Sequence, residues 1–234
     1  MSEYVKRRRY LQRLIDRRDN GDVKIITGPR RSGKSFLLKT IYRDYLLSQG
    51  VPPGNIIIVS LDEDDENNQS ELIDKNLLKS YIYERILSKE DNYYVFLDEI
   101  QEIDGFEKVV NGLNAKENVD VYITGSNSHL LSSDINTIFR GRGDEVHVEP
   151  FCFKEFCEGR TETRNELWKE FYTYGGLPAL RKRNTPQQKV AYLQRLWEKT
   201  YIADVVERHK IKNTVALDAL VDHLCSSIGS FSNP

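Results

Sequence analysis

Apolar residues in this chain come in short unbroken runs separated by longer stretches with helical spacing. Val23-Lys24-Ile25-Ile26-Thr27, Ile56-Ile57-Ile58-Val59, Tyr93-Tyr94-Val95-Phe96-Leu97 and Val119 to Thr124 read as buried strands. Glu145-Val146-His147-Val148-Glu149 alternates apolar with polar, which suits a strand at a sheet edge. Between them, Leu37, Leu38, Ile41, Tyr42, Tyr45 and Leu46 recur at helical spacing, with Gly50 placed to end the helix. A second helix is predicted from a Ser70 cap through Leu87, and a third over Phe106 to Leu113. Residues 4 to 18 read as a basic amphipathic helix with Val5, Leu11, Leu14 and Ile15 on one face. Strand signals stop at Pro150; 151–158, 162–174, 186–210 and 214–227 look helical. Alternating strands and helices followed by helices alone predict an α/β domain with a parallel sheet over residues 1–150, then a smaller helical region over 151–234.

The first strand runs straight into Gly28-Pro29-Arg30-Arg31-Ser32-Gly33-Lys34-Ser35, which fits G-x-x-x-x-G-K-[ST] at every fixed position. Chance produces such a match in a chain this long on the order of one time in a hundred. The loop also leaves a buried strand and opens a helix, as phosphate binding requires. Glycines let successive backbone N–H groups turn toward phosphate oxygens, and the helix that starts at Lys34-Ser35-Phe36 presents its positive end to the same anion. Lys34 is the candidate for the β- and γ-phosphates, and Ser35 for a magnesium ion. The expected ligands are ATP and Mg2+. Nothing in the sequence encodes the base, beyond the lack of a guanine-specific Asn-Lys-x-Asp stretch.

Asp98-Glu99 closes the third strand. In a parallel sheet, acids at a strand's C-terminal end share the rim of the phosphate loop. Asp98 is then a metal-holding candidate, and Glu99 the candidate to orient and deprotonate a water. That pair favours hydrolysis over transfer to a small-molecule acceptor, the reaction of a P-loop kinase. The fourth strand ends in Thr124-Gly125-Ser126-Asn127; Ser126 and Asn127 either sense the γ-phosphate or cap the next helix. Arg140 and Arg142, in Phe139-Arg140-Gly141-Arg142-Gly143, either reach a phosphate, from this chain or a neighbour, or sit in a solvated loop.

Composition narrows the partners little. The 34 Lys and Arg nearly balance 36 Asp and Glu, so bulk charge does not argue for nucleic acid. The cluster Lys6, Arg7, Arg8, Arg9, Arg13, Arg17 and Arg18 leaves a nucleic-acid partner open, against a helix that holds its arginines in water. Cys152, Cys157 and Cys225 have no paired or zinc-type spacing, which suits a reducing cytoplasm. No apolar run approaches membrane-spanning length, and no signal region follows the basic N-terminus.

The segments GPRRSGKS, YYVFLDEIQ and VYITGSNS together resemble the AAA+ ATPase superfamily. With FLDEIQEIDGFEKVVNGL, ITGSNSHLL, RGRGDEVHVEPFCFKEF and GGLPAL, the pattern from about residue 8 to 210 is similar to a bacterial and archaeal AAA family that carries a C-terminal domain of unknown function. The resemblance implies a strand order of 5-1-4-3-2, with a lid beginning near Pro150-Phe151, Phe153 and Glu155-Phe156. It also implies that Pro178, in Gly175-Gly176-Leu177-Pro178, packs near the nucleotide base; a helix-ending turn is the other reading. No lid arginine of the sensor-two type is assigned, although Arg181 and Arg183 fall near its place. Ser230-Phe231-Ser232-Asn233-Pro234 reads as the middle of a connection, so a further C-terminal domain is expected. A homo-oligomer and a protein partner both remain open.

Overall fold

The computed structural model describes residues 4–61, 69–125, 139, 141–200, 206 and 211–227, without the side chains of 199 and 200. Five parallel strands form one sheet: β1 Val23–Thr27, β2 Ile56–Ser60, β3 Tyr93–Asp98, β4 Val119–Thr124 and β5 Gly143–His147. Their order is β2-β3-β4-β1-β5, the expected 5-1-4-3-2 read from the other edge. Pairings such as Ser60↔Asp98, Leu97↔Ile123 and Ile26↔Thr124 align the C-terminal ends of β1 to β4 along one rim. The alternating strand, β5, lies at an edge, and its observed span starts two residues earlier than the pattern suggests.

Each sheet face has its own core, as the two-residue period of a strand requires. Val23 and Ile25 of β1 join Val95, Leu97, Val121 and Ile123 under α3 (Lys75–Tyr83) and α4 (Phe106–Asn114). Ile26 joins Phe96, Tyr122, Leu37, Leu38 and Leu14 under α1 (Arg8–Asp16) and α2. Helix α2 follows the phosphate loop in three continuous segments: Lys34–Phe36, a π-helical stretch Leu37–Tyr42, and Arg43–Ser48.

Two predicted helices are shorter than their apolar patterns. Residues Ser70–Ile73 form a 3-10 turn, and α3 is capped by Asp74, whose carboxylate accepts from Asn76 N at 2.8 Å and Leu77 N at 3.1 Å. Asp74 takes extended backbone and accepts two N–H groups at the helix start, so the cap belongs there rather than to Ser70. At the N-terminus, Tyr4–Arg7 is not helical. Arg7 turns left-handed (φ 46°), and Val5 leaves the α1 face to pack with Phe151, Phe156 and Leu167. That burial outweighs one further helical turn.

Lys24 is an unexpected occupant of a buried strand. Its ammonium pairs with Asp120, whose second oxygen accepts from Tyr122 Oη at 2.7 Å; Tyr122 and Tyr42 hydroxyls meet at 2.6 Å. A buried charge survives only when paired and hydrogen-bonded in this way. Burial pushes both tyrosines well above their ordinary value, and Tyr94, bonded by Arg18 and Asp19, up to about 12.

By contacts the chain divides into two compact units, Met1–Ala179 and Leu180–Pro234. Helices α5 (Phe153–Cys157) and α6 (Arg164–Tyr174) belong to the first, because Phe151, Phe156 and Leu167 bury Val5 of the N-terminal segment. The second holds α7 (Pro186–Thr200) and α8 (Thr214–Ser226), with Arg183 stacked 3.8 Å over the Tyr192 ring. No helix among the described residues is long and apolar enough to cross a membrane.

Candidate functional site

The rim that gathers the C-terminal ends of β1, β2, β3 and β4 also gathers the chemistry. Residues 28–35 bridge β1 and α2. Gly28 has φ 131°, and a Cβ there would stand 2.2 Å from the Val148 carbonyl oxygen; only glycine fits. Gly33 has φ 97° and caps α2, while Arg31, exposed at the loop tip, also takes positive φ (62°). Pro29 and Arg30 are exposed beside it. Lys34 is 4% exposed, and its ammonium donates to the carbonyls of Gly28 at 3.0 Å and Pro29 at 3.1 Å. Ser32 is fully buried, and its hydroxyl has no hydrogen-bond partner among the described residues. Phe36 is exposed and meets the Tyr4 ring edge-on at 5.4 Å.

Ser35 Oγ donates to Asp98 Oδ1 at 2.8 Å, joining the loop to the end of β3. Thr124 Oγ1 donates to the same oxygen at 2.5 Å and accepts from the Glu99 N–H at 3.0 Å. Glu99 sits in left-handed backbone (φ 54°, ψ 47°), half-buried, with Gln101 donating to its carboxylate. The other oxygen of Asp98 is 2.7 Å from the Lys39 ammonium, which also donates to Ser60 Oγ at 3.0 Å. Although Lys39 is that close, Asp98 Oδ2 receives no directed hydrogen bond and is buried. A buried carboxylate oxygen that accepts no directed hydrogen bond, near a serine hydroxyl, is the hard-oxygen environment that suits magnesium. Among the described residues there is no cluster of three His, Cys, Asp or Glu able to cage a metal. An ion here would therefore lean on water and phosphate oxygens, as magnesium does.

The structure thus brings together Gly28 to Ser35, Asp98 and Glu99. Pro178 is beside them: a Cβ on Gly33 would lie 3.5 Å from Pro178 Cγ. The Gly-Gly-Leu-Pro segment is fixed there because the Phe151 N–H donates to the Gly176 carbonyl at 2.8 Å, and the Phe151 carbonyl oxygen would stand 2.1 Å from a Cβ at 176, which leaves room only for glycine. Arg142 is not brought to this rim. Its carbonyl accepts from Val23 N at the start of β1, which places it at the opposite end of the sheet, exposed. Ser126, Asn127 and Arg140 lie outside the described residues.

Three residues of the site were given no role in the sequence. Thr124 and Lys39 hold Asp98; the signals were a threonine ending an apolar strand and a lysine four residues after Ser35, on the same helical face. The third is Arg7, read in the sequence only as one of a basic cluster. It is 3% exposed, donates to the Ser32 carbonyl at 2.9 Å and the Glu149 carbonyl at 2.6 Å, and lies 3.1 Å from Glu155. Tyr10 and Phe151 rings flank its guanidinium at 4.4 and 5.1 Å. Arg17 pairs with Asp144, and Arg18 with Asp19 and Tyr94. Of the seven basic residues in that cluster, these three serve the fold.

Comparison with known proteins places the chain in a family. The family model described as "AAA domain" matches residues 20–157. An uncharacterized protein of Haemophilus influenzae is 34% identical over 235 residues, covering 98% of this chain and 58% of that one. An uncharacterized protein of Methanocaldococcus jannaschii is 32% identical over 214 residues, covering 85% of this chain and 45% of its own. The chain therefore spans about half the length of these relatives. Among solved structures, AMPPCP-bound DnaA from Aquifex aeolicus superposes with a TM-score of 0.46 at 17% identity, covering 91% of this chain and 66% of that one.

Proposed function

The chain belongs to the AAA domain family of P-loop ATPases, and from that premise we propose that it binds ATP with magnesium and hydrolyses it between the 28–35 loop and the end of β3. The observation that carries this reading is the 2.8 Å bond from Ser35 Oγ to Asp98 Oδ1, which ties phosphate loop and metal carboxylate into one site. Backbone N–H groups of the loop and the start of α2 face the phosphates. Lys34 is already inside the loop and turns from the Gly28 and Pro29 carbonyls to the β- and γ-phosphates. Ser35 and Asp98 hold magnesium, which when bound supplies charge neutralisation and orientation to the phosphates.

Glu99 takes the water-activating role. Its strained left-handed backbone is held by Thr124, and Gln101 orients the carboxylate. The bond that breaks joins the β–γ bridging oxygen to the γ-phosphorus; water oxygen takes its place, and Glu99 accepts the water's proton. Pro178, against Gly33, borders the base. Arg142, at the far rim, has no role within its own chain's site, and any phosphate it meets belongs to a neighbouring copy.

Two variants test the assignment. With Lys34→Ala, calorimetric ATP affinity in magnesium should fall by about 100-fold or more. Glu99→Gln should bind ATP like the parent while turnover drops by about 100-fold or more. A Glu99→Gln protein that hydrolyses at the parent rate removes Glu99 from the chemistry.

A further inference from the structure

Asp98 is fully buried, and its two oxygens are used unequally. Oδ1 accepts two hydroxyls, Ser35 at 2.8 Å and Thr124 at 2.5 Å. Those two donors occupy its lone pairs. Among the described residues, Oδ2 has one neighbour of opposite charge, Lys39 at 2.7 Å, and no directed hydrogen bond. Any magnesium ion or magnesium-bound water that uses Asp98 must therefore approach Oδ2, where the ammonium already stands.

Lys39 is placed there by construction. It follows Ser35 by four residues, so both project from the same face of α2. The lysine also donates to Ser60 Oγ at 3.0 Å, at the end of β2 next to β3. Ser60 is itself fixed: its N–H donates to Gln69 Oε1 at 3.3 Å and its carbonyl accepts from Gln69 N at 2.8 Å. The ammonium thus has a second anchor that does not depend on Asp98.

We propose that Lys39 is the resident counter-ion of the metal carboxylate: it holds Asp98 aimed at Ser35 before magnesium arrives, and competes with magnesium for Oδ2. This rests on the ATP–magnesium reading of the site and adds to it a residue that sets the metal's affinity. Without Lys39 the buried Asp98 carboxylate would lack a cation, a costly arrangement. With Lys39 present, magnesium must displace or repel one positive charge. The lysine therefore favours the metal-free protein and weakens metal uptake, which makes nucleotide binding responsive to the magnesium level. Lys39 is a positioning residue in this scheme, acting through Asp98.

The test uses Lys39→Met, which keeps length and removes charge, and the double variant Lys39→Met with Asp98→Asn. Thermal unfolding is measured in EDTA without nucleotide, and ADP binding by calorimetry across a magnesium titration. In EDTA, Lys39→Met should lower the melting midpoint by about 5 °C or more, and the double variant should regain most of that loss, because no unpaired charge remains. In the ADP complex, Lys39→Met should reach half-saturation at about threefold less magnesium or lower still. If Lys39→Met does not fold, the double variant decides: a folded double variant supports the proposal, and an equally unfolded one overturns it. Parent-like stability and magnesium dependence in Lys39→Met also overturn it. Parent protein that binds no ADP with magnesium defeats the functional reading instead, which keeps the two failures apart.

Discussion

Gly28 shows how one atom can decide a site. The Val148 carbonyl occupies the volume a Cβ would need, and φ 131° is closed to side chains besides. Gly28→Ala should destabilise the fold by about 3 kcal/mol and lower ATP affinity with it, read from a urea midpoint and calorimetry. An alanine protein with the parent midpoint would mean that the Val148 strand end yields. The requirement for glycine was visible as a motif position, but its cause was not: Val148 is 120 residues away in sequence. The same holds for Asp98. Its place at a strand end was legible from four apolar residues before it, whereas the three polar groups around it come from α2 and β4, which no local pattern relates.

At the scale of elements, the N-terminal segment is where expectation and structure part most. An arginine-rich stretch beside an apolar face reads as a solvated basic helix. Instead Arg7 is drawn inward, where the planar guanidinium reaches two carbonyls and Glu155 at once while aromatic rings cover its faces. Glu155 serves both sides, since its other oxygen accepts from Cys152 N at 3.1 Å and caps α5. One side chain thereby joins the N-terminal segment, the phosphate loop and α5. Arg7→Ala should cost about 2–3 kcal/mol of stability, less than a fully buried pair because Glu155 is 14% exposed. Arg7→Lys should recover little of it, as a single ammonium cannot span the three acceptors. Equal unfolding midpoints for Arg7→Lys and the parent would show that charge alone suffices. The strands behave otherwise: their unbroken apolar runs mark burial on both faces, and four of the five begin at the expected residue.

For the whole molecule, the proposed ligand links site and stability. ATP or a non-hydrolysable analogue with magnesium, at about 100 times its dissociation constant, should stabilise the protein by about 2.7 kcal/mol. In thermal unfolding that is a rise of several degrees, reduced by EDTA and lost in Lys34→Ala. A midpoint indifferent to nucleotide in the parent would contradict the proposed site. The sequence by itself determined the strands, the phosphate loop and the acidic pair, because these depend on near neighbours: a period of two, a glycine-rich turn, a carboxylate after an apolar run. The strand order was legible only through family resemblance. Tertiary structure alone decided which charges are inside. Lys24, Lys39 and Arg7 look like any surface cation along the chain, yet Lys24 and Arg7 are buried and Lys39 half-buried, each paired because Asp120, Asp98 and Glu155 reach them from distant segments. Burial of a charge is a property of what the fold packs around it, and no window of sequence contains both partners.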